Sequence, residues 1–135
     1  MAGFTPNEGE TLIAQVLAGR THVDRDSDLE LGLFTNASVT EAITEALITE
    51  PSGGGYARID LVDASWTVAN GQMSYAEQTF TTTGTDYSAN FYGYFIASKS
   101  VTGTQRILWI EVDPDGPYDH DVGATYRVTP KVTVA

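Results

Sequence analysis

The chain of 135 residues has no cysteine, so neither disulfides nor thiolate metal sites can support it, and any stability outside a cell must come from packing and assembly. Cations are scarce: 7 Lys plus Arg stand against 18 Asp plus Glu, a formal net charge of −11. Such a surface repels nucleic acid and anionic membranes, so neither is expected as a partner. Acidity also serves plain solubility, the simpler reading of it. Long apolar runs are missing too. No stretch approaches the ~20 residues of a membrane span and no basic-then-apolar leader opens the chain, so a soluble protein is expected. There is no internal repeat and no low-complexity tail.

Catalytic signatures are equally sparse. The two histidines, His22 and His120, fall in polar stretches, and no GxSxG, HExxH or phosphate-loop pattern occurs. A cupin-type metal site would need histidines clustered on strands. Asp and Glu pairs abound, but none sits beside a recognisable groove signature. No enzyme is expected.

What is present reads as strands around one hard break. Glu50-Pro51-Ser52 followed by Gly53, Gly54 and Gly55 interrupts any regular element, because proline removes a backbone donor and glycine admits positive φ. Tyr56 to Leu61 then alternates, with Ala57, Ile59 and Leu61 on one face and Tyr56, Arg58 and Asp60 on the other, which predicts a half-buried strand. A strand rather than a helix follows the glycines and no Lys is near, so they are read as a sandwich corner and not a phosphate cradle.

The segment TEPSGGGYAR, Thr49 to Arg58, with a tryptophan-containing strand soon after at Trp66, resembles a stretch found in small virion structural proteins of tailed bacteriophages, those described as decoration, cement or tail proteins. The likeness is sharp over about a dozen residues, and the later TFTTTGTDYSANFYGYFI departs from the usual continuation. What it implies is a phage-particle role: a capsid decoration protein on the outer surface of the virion, bound to the major capsid protein as a homotrimer. A tail or tail-fibre component on the same fold is the alternative.

Before the break, Thr5-Pro6-Asn7-Glu8 reads as a capping box, and Leu12, Ile13, Val16 and Leu17 recur at helical spacing until Gly19. This short helix either packs on its own domain or lies as an arm on a neighbour, with those four residues as the candidate capsid contact. His22 to Glu30 carries Asp24, Asp26 and Asp28 in alternation, but Leu29 and Thr35 stand where a calcium loop needs Gly and Glu, so a polar linker is expected. Residues 1–28 are therefore read as helix or arm plus linker, and 29–135 as the β-domain. Leu29, Leu31 and Leu33 share one strand face, with Gly32 and Phe34 opposite. Ser38 with Glu41 repeats the capping-box pattern, and a short helix or turn and then a brief strand are expected before Pro51.

After it, Trp66 to Val68 and Met73 to Tyr75 flank Asn70-Gly71, the strongest hairpin signal in the chain, and a phase change near Gln78 to Phe80 predicts a bulge. Phe91 to Ile96 is apolar on both faces, as is Ile107 to Ile110. A sandwich strand needs one buried face only, so the surplus points to self-association through Phe91, Tyr92, Tyr94 and Phe95. Asp113, Asp115, Asp119 and Asp121, with His120, make a loop able to hold Ca²⁺, although Asp is common in turns that hold no metal. With calcium there, Tyr87, Tyr92 and Tyr94 would suit stacking on sugars, a carbohydrate-binding module. Otherwise no cofactor is expected. Thr125 to Val134 closes the domain as an edge, or as two strands broken at Pro130. About eight short strands, turning every ~8–12 residues, favour an all-β antiparallel β-sandwich, a jelly roll in preference to an immunoglobulin-like arrangement.

Overall fold

The computed structural model describes residues 3–18, 29–62, 65–99 and 105–134. Its helix is α1 (Asn7–Leu17), and its strands are β1 (Leu29–Phe34), β2 (Ile59–Leu61), β3 (Thr67–Ala69), β4 (Gln72–Ser74), β5 (Gln78–Thr81), β6 (Gly93–Ser98), β7 (Ile107–Val112), β8 (Thr125–Val128) and β9 (Lys131–Thr133). Every pairing is antiparallel, so the fold is all-β with one short helix. The pairings give sheets ordered β2-β1-β6-β7, β3-β4-β9 and β5-β8, rather than the two four-stranded sheets of a jelly roll.

The arrangement is sandwich-like because the four-stranded sheet has two apolar faces. On one, Leu31, Leu33, Tyr94, Ile96 and Trp109 meet Phe80, Val128 and Val132 from the smaller sheets. On the other, Phe34, Phe95, Ala97, Ile107 and Ile110 are covered by Phe4, Val39, Ile43 and Ile48. All six residues of β6 are buried as a result. The surplus apolar surface expected to bind other copies is thus covered by this chain's own residues 39–48 and Phe4. Phe91 and Phe95 are fully buried and Tyr94 nearly so, which takes these three rings off the surface of the folded chain, while Tyr92 is half-buried.

Helix α1 closes the outer edge of β7. Phe4 and Ile110 exchange backbone bonds of 2.9 and 3.0 Å, and Gly9 sits so close that a Cβ there would lie 2.6 Å from the Ile107 carbonyl oxygen. An edge strand with unpaired N–H groups invites foreign pairing, and a helix laid over it prevents that. Leu12 is buried in the same chain, so α1 is not a free arm. The expected capping box does not form: Pro6 holds the N-cap position without a side-chain bond. The Glu8 carboxylate instead accepts from the Ile107 N–H at 2.6 Å and the Glu45 N–H at 2.8 Å, tying helix, edge and covering segment together. The expected stop at Gly19 and the polar linker with Asp24, Asp26 and Asp28 lie outside the described residues.

Other elements shift for tertiary reasons. Between Ser38 and Pro51 only a 3₁₀ turn, Glu45–Leu47, is regular, and no strand follows; Asn36 and Thr49 brace the segment by side-chain bonds instead. The hairpin forms at Asn70-Gly71, both with positive φ, as a type I′ turn needs. Near Gln78 the chain does not bulge but changes sheets, β4 pairing β9 and β5 pairing β8. Pro130 likewise separates β8 from β9.

Candidate functional site

Three places hold the residues singled out in the sequence. The first is the glycine corner. Gly53, Gly54 and Gly55 take φ of 73°, 57° and 72°, and a Cβ on Gly54 would lie 2.6 Å from the Tyr87 ring. The corner turns Tyr56 and Arg58 inward instead of leaving them on a solvent face, and only Ile59–Leu61 of the expected strand pairs. The Tyr56 hydroxyl donates to Glu50 Oε1 at 2.6 Å and accepts the Leu33 N–H at 2.9 Å. Burial first, and then that Glu50 bond, raises the tyrosine's proton affinity well above the ordinary phenol's.

Arg58 donates from Nε and Nη2 to the two Glu50 oxygens at 2.9 and 2.8 Å, from Nη1 to Glu30 at 2.7 Å, and from Nη2 to Glu45 at 3.0 Å. Its guanidinium carbon lies 4.9 Å from the centre of the Phe95 ring. Burial alone would lower its proton affinity, but the carboxylate bonds from Glu50 and Glu30 outweigh burial and raise it, so the charge is permanent. The corner's polar groups are thus occupied with one another.

The second place is the acidic loop. Asp113 Oδ1 accepts the Asp115 N–H at 2.9 Å, and Oδ2 accepts the hydroxyls of Tyr126 at 2.7 Å and Tyr118 at 3.1 Å. Those donors outweigh burial and hold its carboxyl below the usual range. Asp115, Asp119 and Asp121 are exposed, and no three metal-ligating side chains converge among the described residues, so the loop does not gather them as a calcium cage would. Tyr87 and Tyr94 are buried, which removes them as sugar-stacking platforms.

His120 points inward, stacked on Tyr87 at 5.6 Å and edge-on to Phe91 at 4.9 Å, with Thr82 Oγ1 3.3 Å from Nδ1. Burial lowers its pKa from 6.5, against opposing pulls from Asp119 and Asp121. Since the unfolded chain then binds the proton more readily, stability is full above the unfolded pKa of ~6.5 and falls as pH drops from there towards the folded value. Urea midpoints at pH 7.5 and 5.5 are expected to differ more in the wild type than in His120→Gln. Equal slopes would show that His120 protonates without cost.

The third place is the outer side of α1. Leu12 is inside and Ile13 half-buried, but Val16 and Leu17 are 39 % and 83 % exposed. Leu17, with Ile13, borders a groove of about 630 Å³ between α1, Trp109 and Val134, with Glu10, Glu41 and Lys131 around it. Of the four residues expected to contact a capsid, Leu12 is out of reach without unpacking the domain, and Val16 and Leu17 are the two that are exposed.

Sequence reasoning missed the Arg58 clamp. Its signal was faint: a lone cation in an acidic chain, flanked by Glu50 and Tyr56. Compared with known proteins, the chain matches no family model, no curated protein and no solved structure.

Proposed function

We propose that this chain is a capsid decoration protein of a tailed bacteriophage, a non-catalytic subunit that binds the major capsid protein on the outside of the head and is a homotrimer there. The observation that carries the reading is the resemblance of Thr49 to Arg58 to small phage virion proteins. In the fold that segment is the glycine corner with its Arg58 clamp. The net charge of −11 suits a particle exterior better than contact with packaged DNA. Several copies, each with a modest contact, sum to a strong clamp on a shell under internal pressure. A tail location fits the same fold and is the second reading.

Antibody labelling of purified particles tests the proposal. Label over the head supports it, label on the tail selects the second reading, and unlabelled particles reject both.

The shell contact is assigned to the exposed side of α1. Replacing Val16 and Leu17 together by Gln, a good helix former that adds no charge at the C-terminus of α1, is expected to change unfolding free energy by no more than about 1 kcal/mol. Rebinding to stripped particles is expected to fall at least tenfold. Unchanged rebinding would place the contact elsewhere.

A further inference from the structure

The groove beside α1 has strand β9 on its other side, and β9 is the outer strand of its sheet, paired with β4 alone. The Val134 N–H donates to the Gly71 carbonyl at 2.8 Å, and the Pro130 carbonyl accepts the Tyr75 N–H at 2.9 Å. In the alternation of an antiparallel pair, Thr133 therefore turns its own N–H and C=O away from β4. Thr133 is exposed, and among the described residues no backbone group of another element bonds it. The edge of β7 is closed by Phe4, whereas this edge is open. Facing it, Glu10, Ile13, Ala14 and Leu17 recur at helical spacing as one stripe of α1. Leu17 and Val134 are more than half exposed, so the rim is both apolar and accessible. No ion pair among the described residues joins Glu10 or Glu41 to a cation.

We propose that this groove takes an extended segment of a partner protein, added to β9 as a strand, with an apolar side chain against Ile13 and Leu17 and a Lys or Arg beside Glu10 and Glu41. Strand addition gives the Thr133 N–H and C=O the partners they lack. A helix would leave them unpaired, because its backbone is already bonded within itself. Side chains two apart on a strand share a face and stand ~6.8 Å from each other, close to the ~6 Å rise from Glu10 to Ala14 along the helix. One face of an extended segment thus meets both the acidic end and the apolar stripe. Two carboxylates against the single Lys131, in a chain of net charge −11, select a cationic segment. A second copy of the chain brings the same charge and is repelled. Strand β9 is three residues long and follows Pro130, so it receives a short segment and does not template a growing sheet. The inference deepens the proposed shell contact and rests on that reading only for the identity of the partner, the major capsid protein.

The probe is the blocked pentapeptide acetyl-Thr-Ile-Thr-Arg-Thr-amide, titrated into the full chain and followed in proton–nitrogen spectra. Saturable shifts of the Thr133 and Leu17 amide signals are expected, with that of Gly84, outside the groove, unmoved. The same peptide N-methylated at every residue cannot donate to β9 and should bind at least about tenfold more weakly. Glutamate in place of its arginine should weaken binding at least about fivefold, and Glu10→Gln should narrow that preference. Thr133→Pro removes only a donor that points away from β4, a change an edge strand tolerates, and should weaken binding about threefold or more. No saturable shift, equal binding of the N-methylated peptide, or equal binding of the arginine and glutamate peptides would overturn the added strand. Thr133 and Leu17 signals that move with the protein's own concentration would assign the groove to a second copy and overturn it as well. Peptide binding together with unlabelled particles would keep the added strand and remove the capsid as partner, whereas labelled heads without peptide binding would do the opposite.

Discussion

Arg58→Met is expected to destabilise the domain by about 3–5 kcal/mol, the range seen when one partner of a buried ionic group is removed. The size follows from what is left behind. Side chains of Glu30, Glu45 and Glu50 are 9 %, 25 % and 24 % exposed, and all three aim oxygens at the one guanidinium. Without it they face each other with Tyr56 as donor to Glu50 and Gln105 as donor to Glu30. Lysine is not a substitute, because one ammonium cannot serve four contacts and also lie flat over Phe95. Changing Glu30, Glu45 and Glu50 to Gln alongside Arg58→Met should recover most of the loss, since the penalty belongs to stranded charges and not to missing attraction. Urea unfolding measures both. A loss for Arg58→Met under about 1 kcal/mol, the value of an exposed ion pair, would show that water reaches the clamp.

Phe95→Ala is expected to cost a similar ~3–5 kcal/mol, as for other fully buried phenylalanines. Here the loss should also be strongly coupled. Phe95 pairs across the sheet with Gly32, where a Cβ would lie 2.4 Å from the ring, and Arg58 rests on the same ring. Gly32→Ala alone should therefore destabilise by about 1–3 kcal/mol through overpacking. In a Phe95→Ala background the clash has gone, and the same change should be neutral or stabilising because alanine suits a strand better than glycine. Phe95→Ala and Arg58→Met should likewise combine to less than their sum. Additive losses would place the ring, the glycine and the clamp in separate units.

Local signals in the chain translated well where both partners were near in sequence. Asn70-Gly71 specified its hairpin down to the Val68–Met73 register, and Pro130 specified the break between the last two strands. The two faces of β1 were readable from LELGLF, because period-2 alternation depends on the strand alone. Distant partners were not readable. Glu8 has the spacing of a capping box, but its carboxylate is used on β7, nearly a hundred residues away. Arg58 alternates like a surface residue, and its carboxylates come from Glu30 and Glu45 as well as nearby Glu50. The aromatic strand showed that two faces need cover without showing what supplies it. A second copy was the inference, whereas Val39, Ile43, Ile48 and Phe4 of the same chain do it.

If one chain closes its own core, folding does not wait for assembly, and whatever trimer forms on a particle adds surface contacts to a finished domain. The unfolding midpoint of the isolated protein, followed across a hundredfold range of concentration, tests this most directly. A constant midpoint is the expected result. A midpoint that rises with concentration would contradict it, and would return Phe91, Tyr94 and Phe95 to an interface between copies.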